Sequence, residues 1–233
     1  MKRVPVPELL DTDSGTSREV VDSLRDLRMF NQHFGGVRVM AQLLREVARQ
    51  RGLQEVSWLD VAGSTGDVVT LTQEALRGSD ITLQSVVLDR AVSHLLLHGN
   101  GSHVNVCGDA LALPFRDNSF DVVGSSLFVH HLEPDELLRF AAEGLRVARH
   151  AFVINDLVRH PVHLALSYAG APLYRSRLTR HDAPASVRRA YTVAEMRDIL
   201  GRAGAAKFSI KTFYLFRMGV TLWKAWEPKA NLT

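Results

Sequence analysis

Five segments of this 233-residue chain run from apolar residues into side chains able to hold a polar ligand. The first, "SWLDVAGSTGD", passes from Asp60 through Ala62, Gly63, Ser64 and Gly66. Small residues there let the backbone turn sharply and approach a ligand, and a following helix offers free N–H groups. The second, "VVLD", ends on Asp89, where a carboxylate can accept both hydroxyls of a ribose. The third reaches Gly108, Asp109 and Ala110. There a carboxylate can take an adenine amino group while a backbone N–H meets a ring nitrogen. The fourth and fifth supply Ser125, Ser126, Leu127 and Phe128, then Asn155 and Asp156. Each segment alone reads equally well as a turn or a helix cap. Five of them in order point to one nucleotide-like ligand.

The elements that must position these residues are legible in the apolar spacing. "TSREVVDSLRDLRMFNQHF" and "VRVMAQLLREVARQRG" read as amphipathic helices, with Thr16 or Ser17 as cap, Gly35 and Gly36 as the break and Gly52 as the stop. From Val56 short strands alternate with helices. "VSWLDV", "TLQSVVLD", "HVNVC", "FDVVGSS" and "AFVINDLV" are the strands; "GDVVTLTQEALRG", "AVSHLLLHG" and "EPDELLRFAAEGLRVA" are the helices, the last with Pro134 in its first turn. Asp117 and Asp121 read as turn formers. This alternation predicts an α/β fold, a doubly wound and mostly parallel sheet with helices on both faces. Ligands then lie at the carboxyl ends of the strands, near the point where strand order reverses.

Residues 159–190 carry many His, Arg, Pro and Tyr side chains and read as an insertion over that working edge. "TVAEMRDILGRAGA" is a helix with a Thr192–Glu195 capping box, and "KFSIKTFYLFRMGVTLWKA" gives two closing strands that pair at a sheet edge. The first fifteen residues read as a short arm. The chain thus divides into an N-terminal helical cap, 1–52, and a ligand-binding domain, 53–233.

A formal charge of +3 is far from the dense basic stripe of a nucleic-acid binder, so no nucleic-acid partner is expected. A single cysteine, Cys107, gives no internal disulfide and no cysteine-built zinc site, which suits a reducing cytoplasm. "MKRVPVPELLDTD" lacks the apolar core of a signal peptide, and no apolar run reaches membrane-spanning length. A cytoplasmic protein with no membrane span is expected, compatible with a homodimer. A nicotinamide-dependent dehydrogenase is disfavoured, because "VAGSTGD" lacks the Gly-x-Gly-x-x-Gly spacing.

Over about residues 55 to 158 the chain resembles the class I S-adenosylmethionine-dependent methyltransferases. The resemblance rests on "LDVAGSTGD", "VVLD", "GDALALPFRDNSFDVV" and the "HHL" after the fourth strand. The third piece is the most specific and is similar to the small-molecule branch that includes ubiquinone and menaquinone C-methyltransferases. Ser64 departs from the branch's central glycine, and "RVARHAF" replaces its usual Lys-Pro-Gly-Gly turn. The resemblance implies a Rossmann-like, seven-stranded sheet with an antiparallel closing strand, and S-adenosyl-L-methionine as cofactor. It places Asp60, Ala62, Gly63, Ser64 and Gly66 at the methionine end, Asp89 with Arg90 at the ribose and Asp109 with Ala110 at the adenine. Ser126 or Leu127 lies beneath the amino acid moiety.

Methyl transfer from a sulfonium needs an in-line nucleophile, and a general base helps when the acceptor is a hydroxyl. His130 and His131, close to the emerging methyl, and Asp156 are the candidate catalytic residues; His160, His163 and His181 are further candidates. Each also reads as a structural side chain. Phe30, Asn31, Phe34, His160, Tyr168 and Tyr174 are the candidates for binding a small-molecule acceptor. No metal-ligand set is visible, so no metal is expected. The leading expectation is O-methylation of an aromatic or polyketide-like metabolite. The alternatives are C-methylation of a quinone-like ring, RNA methylation through the Arg175–Arg189 cluster, and a non-catalytic binding or regulatory subunit of the same fold.

Overall fold

The computed structural model describes residues 1–97 and 103–225. Thr16, not Ser17, caps α1 (Ser17–His33), in a reciprocal capping box with Glu19. α2 (Gly36–Arg51) ends at Gly52 in the left-handed conformation. Then follow β1 (Glu55–Val61), α3 (Asp67–Ala75), β2 (Thr82–Asp89), a single helical turn α4 (Val92–Leu95), β3 (His103–Cys107) and β4 (Phe120–Ser126). α4 is shorter than the predicted "AVSHLLLHG", whose last two residues lie outside the described residues. The chain continues with α5 (Pro134–Val147), β5 (Ala148–Leu157), α6 (Pro161–Ala169), α7 (Arg177–Arg189), α8 (Val193–Leu200), β6 (Lys207–Phe213) and β7 (Arg217–Trp223).

The strands form one seven-stranded sheet in the order β3-β2-β1-β4-β5-β7-β6. β1 to β5 are parallel; β7 runs antiparallel between β5 and β6, leaving β6 as the edge. The apolar stripes explain the layering. Met40, Leu43, Leu44 and Val47 of α2 bury one sheet face with Trp58 and Val153. Leu137 and Phe140 of α5, with Met196 and Ile199 of α8, bury the other. Strand order reverses between β1 and β4, which places the switch point at their carboxyl ends.

Two local arrangements differ from the sequence expectation. Asp121 is not in a turn. It sits in β4, where its Oδ2 accepts hydrogen bonds from Ser57 N at 2.9 Å and Ser57 Oγ at 2.6 Å, tying β1 to β4. Asp117 pairs with Arg146 at 2.9 Å. α5 passes into β5 with no loop, so the strand begins before the predicted "AFVINDLV". The pairing Phe120↔Ala148 is followed by Val122↔Ala151, so β5 carries one residue more than β4 over this step, a bulge. Arg146 anchors the handover by donating to the carbonyls of Leu113 and Phe115 and to Glu143. "RVARHAF" therefore replaces a turn with a clamp.

The insertion and α1 form one cover over the carboxyl edge, whereas α2 packs on the sheet face. Val20 and Leu24 of α1 pack on Leu178 of α7. Asp26 of α1 accepts from the backbone of Arg175 and Ser176. The arm before α1 lies along the same cover: Asp182 takes the N–H groups of Leu9 and Leu10 at 2.8 and 3.0 Å. Arg3 holds Glu133 at 2.9 Å. Among the described residues no helix is long and apolar enough to cross a membrane.

Candidate active site

A cavity of about 830 Å³ lies between the sheet and this cover, reached by Asp60, Asp89, Ser126 and Leu157 at the ends of β1, β2, β4 and β5. The loop after β1 shapes one end. Ala62, Ser64 and Gly66 all take positive φ, at 58°, 51° and 75°. For the first two this is strained backbone, which persists only when neighbours over-determine it. Ser64 has such neighbours. Its N–H donates to Asp89 Oδ2 at 2.8 Å, and its hydroxyl lies 3.2 Å from His94 Nδ1. His94 Nε2 in turn lies 2.9 Å from Asp13 of the arm. The hydroxyl that replaces the expected glycine is turned towards His94.

Gly63 is fixed by space: a Cβ there would lie 2.8 Å from Asp60 Oδ2 and 2.9 Å from Val87. Gly66 instead faces the His103 ring and lies outside the cavity wall.

Asp60 is fully buried, and neither carboxylate oxygen meets a donor among the described residues. Burial, and then the nearby Asp89, push its carboxyl up to about 8. A dry carboxylate on a cavity wall is suited to a cationic group of a ligand. Asp89 Oδ1 accepts from Ala91 N at 2.8 Å, so both its oxygens are oriented by backbone while lone pairs remain for hydroxyls. Arg90, Asp109 and Ala110 line the adjoining wall, with Asp109 held by Leu111 N at 2.8 Å. Ser126 and Leu127 close the floor; Asn155 donates to Ser126 Oγ at 3.2 Å.

The cavity wall also carries a chain of titratable groups. His130 Nδ1 lies 2.7 Å from Asp156 Oδ1, and the His130 N–H donates to Asp156 Oδ2 at 3.2 Å. Both residues are buried. His130 Nε2 faces Glu8 Oε1 at 3.4 Å, and His131 Nε2 faces the same oxygen at 3.7 Å. Burial lowers the His130 pKa, but Asp156 and Glu8 outweigh it and raise it to about 10. Against the cost of burial, His130 in turn holds the Glu8 and Asp156 carboxyls below their ordinary range, so an imidazolium sits between two carboxylates. Arg217, also buried, stands near Asp156, and burial depresses its pKa to about 10.

Of the residues expected to bind an acceptor, Phe30, Asn31, Phe34 and Tyr174 line the cavity, with the Phe30 ring edge-on to Phe34 and Tyr174. His160 and Tyr168 do not. His160 caps α6 through Val162 N and stacks on Phe216, while Tyr168 lies beneath the Arg188 guanidinium. His163 lines the wall instead, and His181 pairs with Asp182. Glu8, Asp13, His94 and Arg217 were not singled out from sequence. The arm has no periodicity to place it, and Arg217 looks like any strand residue until β7 is seen beside β5.

The strand order and the antiparallel closing pair match the Rossmann-like methyltransferase fold. Residues 59–151 match the methyltransferase domain family. Among solved structures, the plantazolicin methyltransferase BpumL, in complex with a pentazolic desmethylPZN analog and SAH, aligns with a TM-score of 0.70 at 11% identity, over 94% of this chain and 95% of that one. An S-adenosylmethionine-dependent methyltransferase from Aquifex aeolicus aligns with a TM-score of 0.54 at 18% identity, over 78% and 89%. An O-methyltransferase family 2 protein from Planctomyces limnophilus, in complex with apigenin, gives 0.52 at 16%, over 73% and 51%. No curated protein matches the sequence.

Proposed function

We propose that this protein transfers a methyl group from S-adenosyl-L-methionine to a hydroxyl oxygen of a small aromatic or polyketide-like molecule. The observation that carries the reading is the shared cavity, lined both by the unpartnered Asp60 carboxylate and by the Glu8–His130 pair that Asp156 backs. The sulfonium supplies an activated methyl group. Asp60 pairs with the amino group of the methionine moiety, Asp89 accepts the ribose hydroxyls, and Asp109 with Ala110 meets the adenine.

The chain's own contribution is then placement and proton removal. Phe30, Phe34 and Tyr174 offer aromatic edges to a ring, and the cover excludes water from the transfer. The acceptor hydroxyl lies against the gap between His130 Nε2 and Glu8 Oε1, and its proton passes to the Glu8 carboxylate as the oxygen attacks. Asp156 holds the imidazole in the required orientation. Positioning of this kind is worth at most about 7–11 kcal/mol, and proton removal a further ~10²–10⁴-fold.

The test is incubation with isotopically labelled cofactor and a panel of phenols and hydroxylated polyketides, with products identified by mass spectrometry. A labelled O-methyl ether supports the reading. Label on a ring carbon replaces it with C-methylation, and no turnover with any acceptor despite cofactor binding favours a binding subunit.

Asp89→Ala gives a sharper check on the cofactor end. It removes the acceptor of two backbone N–H groups as well as the ribose contact, so calorimetry with S-adenosylhomocysteine should show affinity falling by about 10–100-fold, while the fold loses about 1–3 kcal/mol. Unchanged affinity would sink the ribose assignment.

A further inference from the structure

We propose that Glu8, His130 and His131 form a binding site for one divalent cation of the zinc class. The two imidazoles aim their Nε2 atoms at one carboxylate oxygen, at 3.4 and 3.7 Å, without closing a hydrogen bond to it. All three ligand atoms lie within 4.8 Å of one another. Around a tetrahedral ion with bonds of about 2.0–2.2 Å, neighbouring ligand atoms stand about 3.3–3.5 Å apart. The spacing is therefore long for hydrogen bonding and close to that of atoms sharing an ion.

The surroundings match on an independent count. Metal-binding histidines usually have their second ring nitrogen held by a carboxylate or carbonyl. Here both do: His130 Nδ1 is held by Asp156 at 2.7 Å and His131 Nδ1 by Asp11 at 3.1 Å. The ligating oxygen of Glu8 is itself oriented by Ser186 Oγ at 2.9 Å. His130 Nε2 is a buried polar atom without a hydrogen-bond partner among the described residues. Two imidazoles and one carboxylate suit zinc and its neighbours rather than magnesium or calcium, which prefer all-oxygen shells. Three protein ligands leave the fourth position facing the cavity. Because Glu8 comes from the arm and the histidines follow β4, a bound ion also clasps the arm to the sheet.

The ion takes the atoms that receive the acceptor's proton in the proposed reaction, so ion and proton transfer exclude each other. This consequence rests on the methyltransferase reading, whereas binding does not. The test uses untagged protein stripped with a chelator and titrated with Zn²⁺ alone, read by calorimetry and elemental analysis. One equivalent per chain is expected, with cobalt(II) giving the visible absorption of a four-coordinate site. Glu8→Ala and His131→Ala should each abolish stoichiometric binding, and Asp11→Asn should weaken it by about 10–100-fold. Zn²⁺ should raise the Tm of the wild type and leave that of His131→Ala unmoved. No stoichiometric binding, or binding indifferent to both alanine variants, overturns the site. In turnover assays Zn²⁺ should inhibit and chelator should restore activity. Binding without inhibition overturns the exclusion, and a protein that binds zinc but methylates nothing overturns the function while leaving the site in place.

Discussion

His130→Ala is expected to lower the rate of methyl transfer by about 10²–10⁴-fold while leaving cofactor affinity unchanged. In the proposed reading the imidazole serves the acceptor, and the cofactor is held by the loops after β1, β2 and β3, which line the same cavity. The variant should also fold. Removing the imidazole leaves buried Asp156 with Arg217 as its nearby counter-charge and with the Leu157 N–H at 2.6 Å. Asp156→Ala is the informative contrast. It leaves the buried Arg217 without its nearby carboxylate and the buried His130 with Glu8 alone, and removing one partner of a buried charge pair costs about 3–5 kcal/mol. The same loss of rate should therefore come with a large fall in stability. Rates from single-turnover assays, binding of S-adenosylhomocysteine and chemical denaturation separate the two. A His130→Ala enzyme within threefold of wild type would remove this chain from the reaction.

Cofactor affinity is expected to rise by about tenfold per pH unit up to about pH 8, because only ionised Asp60 pairs with an ammonium group. Below that value the folded protein holds a proton on Asp60, and binding must release it. Calorimetry in two buffers of different ionisation enthalpy reads that proton directly. Asp60→Asn should bind more weakly and lose the dependence. The sign for stability is opposite. The folded pKa is raised from 3.8 to about 8, so the burial of Asp60 is tolerated at low pH. As pH climbs through that window the group disfavours the unliganded fold by about 1.4 kcal/mol per unit at most. Asp60→Asn should therefore stabilise the ligand-free protein at pH 8 while weakening cofactor binding. Affinity that stays flat from pH 6 to 8 would show that Asp60 meets no cation.

The cradle was legible because its residues follow strands. Asp60, Asp89 and Asp109 each end an apolar run, and a parallel sheet brings such ends to one edge whatever the details of packing. The acceptor end was half legible. His130 and Asp156 also follow strands, but their partner Glu8 lies in an arm with no periodic pattern, held by Asp182 and Ser186 of the insertion. A contact of that kind depends on how two irregular segments lie over each other, which no local spacing encodes. His160 and Tyr168 show the limit from the other side. Their types suited a binding role, yet capping α6 and stacking against Phe216 or Arg188 took them elsewhere. Ser64 looked like an obstruction because only its position was visible. The structure adds His94 and Asp13 behind it.

The bulge at the start of β5 has a consequence for which insertions and deletions the chain can tolerate. Side chains along a strand alternate between faces, so one residue added or removed reverses every face beyond it. From Ala151 onward, the parity of β5 is set by the extra residue beside Arg149 and His150. Asp156 points towards His130 only in that parity. No slack exists upstream to absorb a change, because α5 feeds the strand directly and Arg146 clamps its last turn. The acceptor chemistry is thus indexed from the far end of the strand. Length variation at residues 148–150 is closed to this protein, although those residues do not line the cavity.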